Sequence, residues 1–128
     1  MSNDRLREAE TSEWLNGLIG DGANAVWWIE FDPAVGSEVR KTRPGIVVSN
    51  NSANRNLSRV VVVPLTSNTE RLYPGEARVS ITGNESKAVA DQIMTADKMR
   101  LKSKIGELSM ADMLAVEHAL RVHLAFSK

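Results

Sequence analysis

Cysteine is absent from this 128-residue sequence, and histidine occurs only twice. The lack of cysteine excludes disulfide bonds, cysteine-ligated zinc, iron–sulfur clusters and a thiol nucleophile. His118 and His123 are five positions apart on a predicted helix, so their side chains diverge, and a zinc ion takes three or four ligands. We therefore expect no metal site and no other cofactor.

Long apolar runs are also lacking. No segment approaches the length of a membrane-spanning helix, and the first residues are polar and acidic where a signal peptide needs an apolar stretch. With 42% apolar and 25% charged residues, the chain has the composition of one globular domain. We expect a cytoplasmic protein with no membrane partner.

A net charge of zero conceals an uneven distribution along the chain. Residues 1–38 carry eight acidic and two basic side chains, a net −6, whereas the other 90 residues carry 14 basic and 8 acidic ones, a net +6. The polar, glycine-interrupted residues 1–24 predict an acidic N-terminal arm, and residues 25–128 predict the folded domain. The basic balance of that domain is compatible with a phosphate-containing partner.

β-Branched and aromatic residues predict five or six short strands before a terminal helix. The candidate strands are 25–31, 45–49, 59–65, 76–82, 87–95 and 105–108. Four consecutive valines at 60–63 indicate a strand covered on both faces, whereas the polar segments 34–44 and 50–56 are predicted loops. In the first strand, alternation directs Trp27 and Trp28 to opposite faces. One of the two is expected in the core, and the other packs, stacks on a base or meets a second subunit.

The terminal helix is predicted to begin after Ser109, which has the character of an N-cap, and to end near Phe126. Its core-facing stripe is expected to contain Met113, Val116, Leu120 and Leu124. Short strands followed by one helix predict a mainly β fold, either a small twisted sheet or a partly open barrel with the helix packed against it.

Polar and basic residues gather in the 34–44 segment and at the ends of predicted strands. They are Gly36, Ser37, Glu38, Arg40, Lys41, Thr42, Arg43, Ser49, Thr66 and Ser67. Arginine offers forked donors to phosphate oxygens, and a hydroxyl donates to a further oxygen. The pattern alone leaves two interpretations open: a site for a phosphodiester, or a solvated Arg43 before Pro44 and a Thr66 that merely ends a strand.

Five short motifs occur in a characteristic order: Phe-Asp-Pro at 31–33, Gly-Ser-Glu at 36–38, Arg-Pro-Gly-Ile-Val-Val-Ser-Asn at 43–50, Val-Pro-Leu-Thr-Ser at 63–67 and Asp-Gln-Ile at 91–93. In sequence and spacing, over about residues 25–125, they resemble the MazF/PemK family of toxin endoribonucleases. The resemblance implies an SH3-like barrel of the CcdB/PemK type with a C-terminal helix. It also implies a homodimer, a cognate antitoxin partner, and metal-independent cleavage of single-stranded RNA at specific sequences.

The resemblance also implies roles for individual residues. Arg43 matches the catalytic arginine of the family and Thr66 its catalytic threonine, while Ser37 and Glu38 match a motif in the flexible loop beside the substrate. From the same polar cluster we add three candidate substrate-binding residues: Arg40, Lys41 and Ser67.

The chemistry of RNA accounts for a site without a metal. The 2′-hydroxyl is the nucleophile, so the protein must align it, remove its proton, stabilise charge at phosphorus and protonate the leaving 5′-oxygen. Arg43 and Thr66 suit charge stabilisation. Arginine is ordinarily protonated and is therefore a poor base, which leaves a perturbed Arg43, Glu38 or a water molecule as candidates for proton removal.

Two other functions compete with the nuclease interpretation. One is a gyrase-poisoning toxin of the same fold, but that branch ends in a Trp-Gly-Ile tail, whereas this chain ends Leu-Ala-Phe-Ser-Lys at 124–128. The other is a barrel that binds RNA without cleaving it.

Overall fold

The computed structural model describes residues 24–31 and 41–126, with the side chain of Lys41 excepted. The predicted arm at 1–24, apart from Asn24, and residues 34–40 of the predicted 34–44 loop therefore lie outside the described residues. In chain order the elements are β1 (Ala25–Phe31), β2 (Lys41–Val47), α1 (Asn51–Asn56), β3 (Arg59–Thr66), β4 (Glu76–Ile81), β5 (Asn84–Val89), β6 (Met94–Asp97), β7 (Leu101–Glu107) and α2 (Met110–Leu124). Two 3₁₀ turns, Ala90–Gln92 and Lys98–Arg100, flank β6.

The strands form one antiparallel sheet in the order β4-β5-β3-β2-β1-β7, and β6 also pairs with β3. Strand β3 changes partners along its length: Arg59 to Val62 pair with β6, and Leu65 and Thr66 pair with β5. On its other edge, Val62 to Pro64 pair with β2. The antiparallel sheet followed by a terminal helix confirms the predicted mainly β fold, and the described strands do not close into a complete barrel.

Two apolar clusters cover opposite faces of the central strands. Neighbouring residues alternate between them: Ile46 and Val63 belong to one, and Val47 and Val62 to the other. The first cluster includes buried residues of the β4–β5 hairpin and of α2, and the second includes Trp27. The prediction that β3 is covered on both faces is thereby confirmed.

Several predicted boundaries are wrong, and for β2 and β7 tertiary pairing overrides local composition. Strand β2 begins at Lys41, inside the predicted 34–44 loop, because it pairs with β1 from Phe31↔Lys41 onward. The fifth strand is Asn84–Val89 and not 87–95, because the hairpin turns at Thr82 and Gly83, both with positive φ, and the chain then enters a 3₁₀ turn. Strand β7 extends back to Leu101 through polar residues that pair with β1.

The predicted loop at 50–56 contains a short helix. Asn50 caps α1, its side chain accepting a hydrogen bond from the Ala53 N–H at 2.8 Å. Asn54 is buried and donates from Nδ2 to the Ser49 carbonyl at 2.8 Å. The asparagines that suggested loop structure therefore supply the cap and the anchor of a helix.

Helix α2 begins as predicted, with Ser109 accepting a hydrogen bond from the Asp112 N–H. It ends at Leu124, where Ala125 adopts a left-handed conformation. Val116 and Ala119 are its buried residues, and Met113 and Leu120 pack beside them. The prediction that Leu124 faces the core is wrong, since 41% of this side chain is exposed.

Candidate active site

An open cavity of about 390 Å³ lies where β2 and β3 cease to pair. The last paired residues are Gly45 and Pro64, and the residues next to them on each strand line the cavity. The lining residues are Trp28, Arg43, Pro44, Leu65, Thr66, Ser67 and Ser86. The cavity therefore draws on four strands that are neighbours in the sheet but distant in sequence.

Arg43 reaches this cavity because β2 remains extended through a proline. Pro44 disfavours helical geometry for the residue before it, and pairing with β1 places Arg43 opposite Ile29 and Pro44 opposite Trp28. Gly45 permits a close approach to β1, since a Cβ built there would lie 2.6 Å from Ile29 Cδ1. Arg43 is exposed, and it forms no salt bridge with an acidic side chain of the described residues.

Thr66 is the last residue of β3 and is partly buried. Its Oγ1 accepts a hydrogen bond from the Asn68 N–H at 3.3 Å, which leaves the hydroxyl proton available for a ligand. Ser67 follows it and is exposed. With Ser86, the cavity thus combines one guanidinium with three hydroxyls, a donor set suited to phosphate oxygens.

Trp28 supplies an aromatic wall. Its side chain is 42% exposed, whereas that of Trp27 is 1% exposed, so the prediction that one tryptophan is in the core is confirmed. Sequence reasoning left stacking on a base as one of the open roles of the outer tryptophan, and it did not place Pro44, Leu65 or Ser86 at the site. For Trp28 a signal existed, since an aromatic residue on the outer face of a strand is a candidate contact surface. Ser86 carried no comparable signal.

The structure brings Arg43, Thr66 and Ser67 together, and among the described candidates it places Ser49 outside the cavity. Ser37, Glu38 and Arg40 lie outside the described residues, and of Lys41 only the backbone pairing with Phe31 is described. Ser49 is not part of the cavity. Its hydroxyl donates to the Asn54 side chain and accepts from the Val61 N–H at 3.0 Å, so it fastens α1 to β3.

A buried ion pair borders the site on the β5 side. Lys87, which pairs with Thr66 across the sheet, lies 3.1 Å from the Glu76 carboxylate. Burial would raise the pKa of Glu76, but the hydrogen bond from the Tyr73 N–H and the ammonium of Lys87 outweigh that effect and hold the pKa below its usual value. Glu76 is therefore a structural carboxylate at neutral pH.

Two further observations concern metals and membranes. Within residues 24–31 and 41–126, no group of three or more histidine, cysteine, aspartate or glutamate residues is arranged to hold a metal ion. In the same part of the chain, no helix is long and apolar enough to cross a membrane.

Comparison with known proteins identifies the family. The profile of PemK-like, MazF-like toxins of type II toxin–antitoxin systems matches residues 23–124. Endoribonuclease MazF9 of Mycobacterium tuberculosis is 38% identical over 108 residues, covering 77% of this chain and 92% of the relative.

Solved structures agree with this assignment. An endoribonuclease from a mycobacterial species superimposes with a TM-score of 0.71 at 26% identity, covering 87% of this chain and 97% of the other. An endoribonuclease in complex with its cognate antitoxin, also mycobacterial, gives 0.67 at 28% identity, covering 83% and 96%. The predicted fold class is confirmed, and the chain belongs to the PemK-like, MazF-like toxin family of type II toxin–antitoxin systems.

Proposed function

We propose that this chain is a toxin that cleaves single-stranded RNA at specific sequences without a metal ion. The observation that carries the proposal is that Arg43 and Thr66, from different strands, line one open cavity. Its relative MazF9 is named an endoribonuclease, and the family is one of toxins. In this proposal Arg43 and Thr66 are the catalytic residues, and Ser37, Glu38, Arg40, Lys41 and Ser67 contact substrate.

The reaction follows from the groups in the cavity and from RNA itself. The 2′-oxygen attacks the adjacent phosphorus, the bond to the 5′-oxygen breaks, and the products are a 2′,3′-cyclic phosphate and a 5′-hydroxyl. The pentacovalent intermediate carries an extra negative charge, which the Arg43 guanidinium and the Thr66 hydroxyl stabilise as preorganised donors. Because the nucleophile belongs to the substrate, no metal-activated water is required.

The direct test is incubation of a long RNA of mixed sequence with the protein and EDTA, followed by mapping of the ends by primer extension. Fragments with a common sequence at their ends and a 5′-hydroxyl are the expected result. Intact RNA with a mobility shift would support a non-catalytic RNA-binding barrel. Intact RNA, no shift and inhibition of gyrase would support a CcdB-like toxin.

Substitution of Glu38 tests which group accepts the proton of the 2′-hydroxyl. If this carboxylate removes the 2′-hydroxyl proton, Glu38→Gln abolishes the acidic limb of the pH–rate profile. If a water molecule or Arg43 removes it, the variant keeps the limb and changes only the rate.

We further propose that the chain forms a homodimer and is inhibited by an antitoxin in the cytoplasm. One mycobacterial relative is solved with its cognate antitoxin. On α2, three apolar side chains at intervals of four or eight residues are exposed, by 77% at Met110, 58% at Leu114 and 45% at Val122. Exposed apolar surface of this kind is typical of protein interfaces. Light scattering of the purified chain, with and without the antitoxin, measures both assemblies.

The sequence predicts a moving loop at 34–42; because Lys41 and Thr42 belong to β2, the proposed moving element is the part of it at 34–40. It carries Ser37 and Glu38, and long polar loops commonly line binding sites. We expect RNA to order it and the antitoxin to displace it. Hydrogen exchange that is identical in the free, RNA-bound and antitoxin-bound forms would contradict this.

A further inference from the structure

A row of paired residues runs from the cavity across β5 to β4. Thr66 pairs with Lys87 of β5, and Lys87 pairs with Arg78 of β4. Residues directly opposite in antiparallel strands share a face of the sheet. Thr66, Lys87 and Arg78 therefore form a continuous row that starts at the cavity. With strands spaced about 4.8 Å apart, the row extends about 10 Å from Thr66.

The segment between β3 and β4 is fastened over this row. Lys87 Nζ donates to the Arg71 carbonyl at 2.8 Å and lies 5.8 Å from the centre of the Tyr73 ring. Glu76 accepts from the Tyr73 N–H at 2.8 Å, and Arg78 Nη2 donates to the Thr69 carbonyl at 3.0 Å. These contacts hold the segment that carries Arg71 and Tyr73 against β4 and β5, and Arg71 Nη1 donates to the Tyr73 hydroxyl at 3.4 Å.

The groups left on the surface have the chemistry of a single-strand binding site. The Tyr73 side chain is 53% exposed, and Arg71 and Arg78 are exposed as well. Neither arginine forms a salt bridge with an acidic residue in the described part of the chain. Lys87, in contrast, is buried and its charge is compensated by Glu76, so it positions the segment. Arginines beside an exposed aromatic ring bind phosphate and stack on bases in single-stranded nucleic acids.

We propose that Arg71, Tyr73 and Arg78 form an additional RNA subsite. It binds a phosphate and a base that neighbour the scissile phosphodiester on the β4–β5 side of the cavity. This inference rests on the proposed function, because it takes the Arg43 and Thr66 cavity as the place where the RNA is cut. The continuity of the row with that cavity favours RNA over an acidic protein segment as the occupant.

The test compares the double variant Arg71→Ala/Arg78→Ala with the wild-type chain. The matched control is Arg55→Ala/Arg121→Ala, which removes two exposed arginines of α1 and α2. On a long RNA we expect KM to rise about 5- to 20-fold and kcat to stay unchanged. The reason is that the two arginines bind the RNA equally in the ground state and in the transition state. The slope of log kcat/KM against log salt should fall by about 0.7 for each arginine removed. The control should change neither quantity.

Tyr73 is tested by a pair of substitutions. Tyr73→Leu removes the stacking face and should raise KM about fivefold or more, whereas Tyr73→Phe keeps the face and should leave KM near the wild-type value. A short RNA that spans only the cut site should be cleaved equally by all variants, because it does not reach the subsite.

The outcomes separate the two proposals. If the wild-type chain cuts no RNA, the proposed function fails. If it cuts RNA and the double variant matches the control in KM and salt slope, the subsite is wrong while the function stands. If the double variant keeps the wild-type KM but is no longer inhibited by the antitoxin, the surface belongs to the protein partner and the subsite is again wrong.

Discussion

The two ends of strand β2 show opposite uses of similar polar residues. Near its start, Arg43 lines an open cavity together with the hydroxyls of Thr66, the last residue of β3, and of Ser67, which follows it. Past its end, Ser49 is engaged with the Asn54 side chain and the Val61 N–H. Ser49 follows Arg43 by six positions, which is about 20 Å along an extended chain. The two therefore cannot serve one site, although composition groups them together.

The difference between the ends lies in hydrogen-bond saturation. Around Ser49, donors and acceptors satisfy one another, which stabilises the attachment of α1 and leaves little capacity for a ligand. Around Arg43, the guanidinium and the Thr66 hydroxyl have donors that the described residues do not use. A ligand can accept hydrogen bonds from those donors, so the region around Arg43 is the one that can bind a substrate.

The largest expected effect comes from removing the donors of the cavity at the start of β2. Arg43→Ala and Thr66→Ala should each lower the rate of RNA cleavage by about 10²- to 10³-fold, because each removes a preorganised donor to the developing charge. Circular dichroism and thermal unfolding should match the wild type, since Arg43 is exposed and Thr66 ends its strand. Arg55→Ala on α1 is the control and should cleave normally. Cleavage near the wild-type rate by either site variant would mean that the site is misplaced.

Removing the hydrogen bonds around Ser49 should lower stability and leave catalysis unchanged. Asn54→Ala removes a buried side chain that bonds Ser49 twice, and leaves the Ser49 groups without that partner. Chemical denaturation should show a loss of about 2–3 kcal/mol in the free energy of unfolding. Asn56→Ala, which loses one exposed hydrogen bond to the Ser52 carbonyl, should lose only a few tenths. A fall in cleavage rate for folded Asn54→Ala would contradict the separation of the two ends.

A substitution of Trp28 tests whether the exposed ring at the cavity contacts RNA. Trp28→Ala should raise KM for RNA about 5- to 10-fold if the exposed ring stacks on a base, at roughly 1 kcal/mol. Trp28→Phe should restore most of the affinity. Equal KM values for the wild type and Trp28→Ala, in a folded protein, would assign the ring to packing or to the dimer interface.

The smallest effect concerns acid stability beside the cavity. The folded-state pKa of Glu76 is lowered, so its ion pair with Lys87 stabilises the fold fully above the unfolded-state pKa and loses that contribution as the pH falls through the folded-state value. Wild type should exceed Glu76→Gln in the free energy of unfolding by up to about 1 kcal/mol near neutral pH. The difference should shrink below about pH 4. A difference independent of pH would show that the ion pair is not its source.

Much of the fold was predictable because burial leaves a strong local pattern. The four valines of β3 and the Ser109 cap of α2 each act through their immediate neighbours, and both predictions are confirmed. Strand β7 was mostly missed, since Lys102 and Lys104 resemble a polar loop until β1 supplies pairing partners. The helix α1 was missed because its asparagines are equally suited to turns and to caps.

The amino-acid sequence by itself determined which chemistry is available: no thiol, no metal-ligating cluster among its motifs, and an arginine and a threonine in segments that resemble those of known toxins. Side-chain type and local order suffice for that. Tertiary structure alone decided that Arg43 and Thr66 share a cavity, that Ser49 lies outside it, and that Trp28 and Ser86 help to line it. These neighbours are set by the point at which β3 leaves β2 for β5, and strand pairing over long sequence separations carries no local signal.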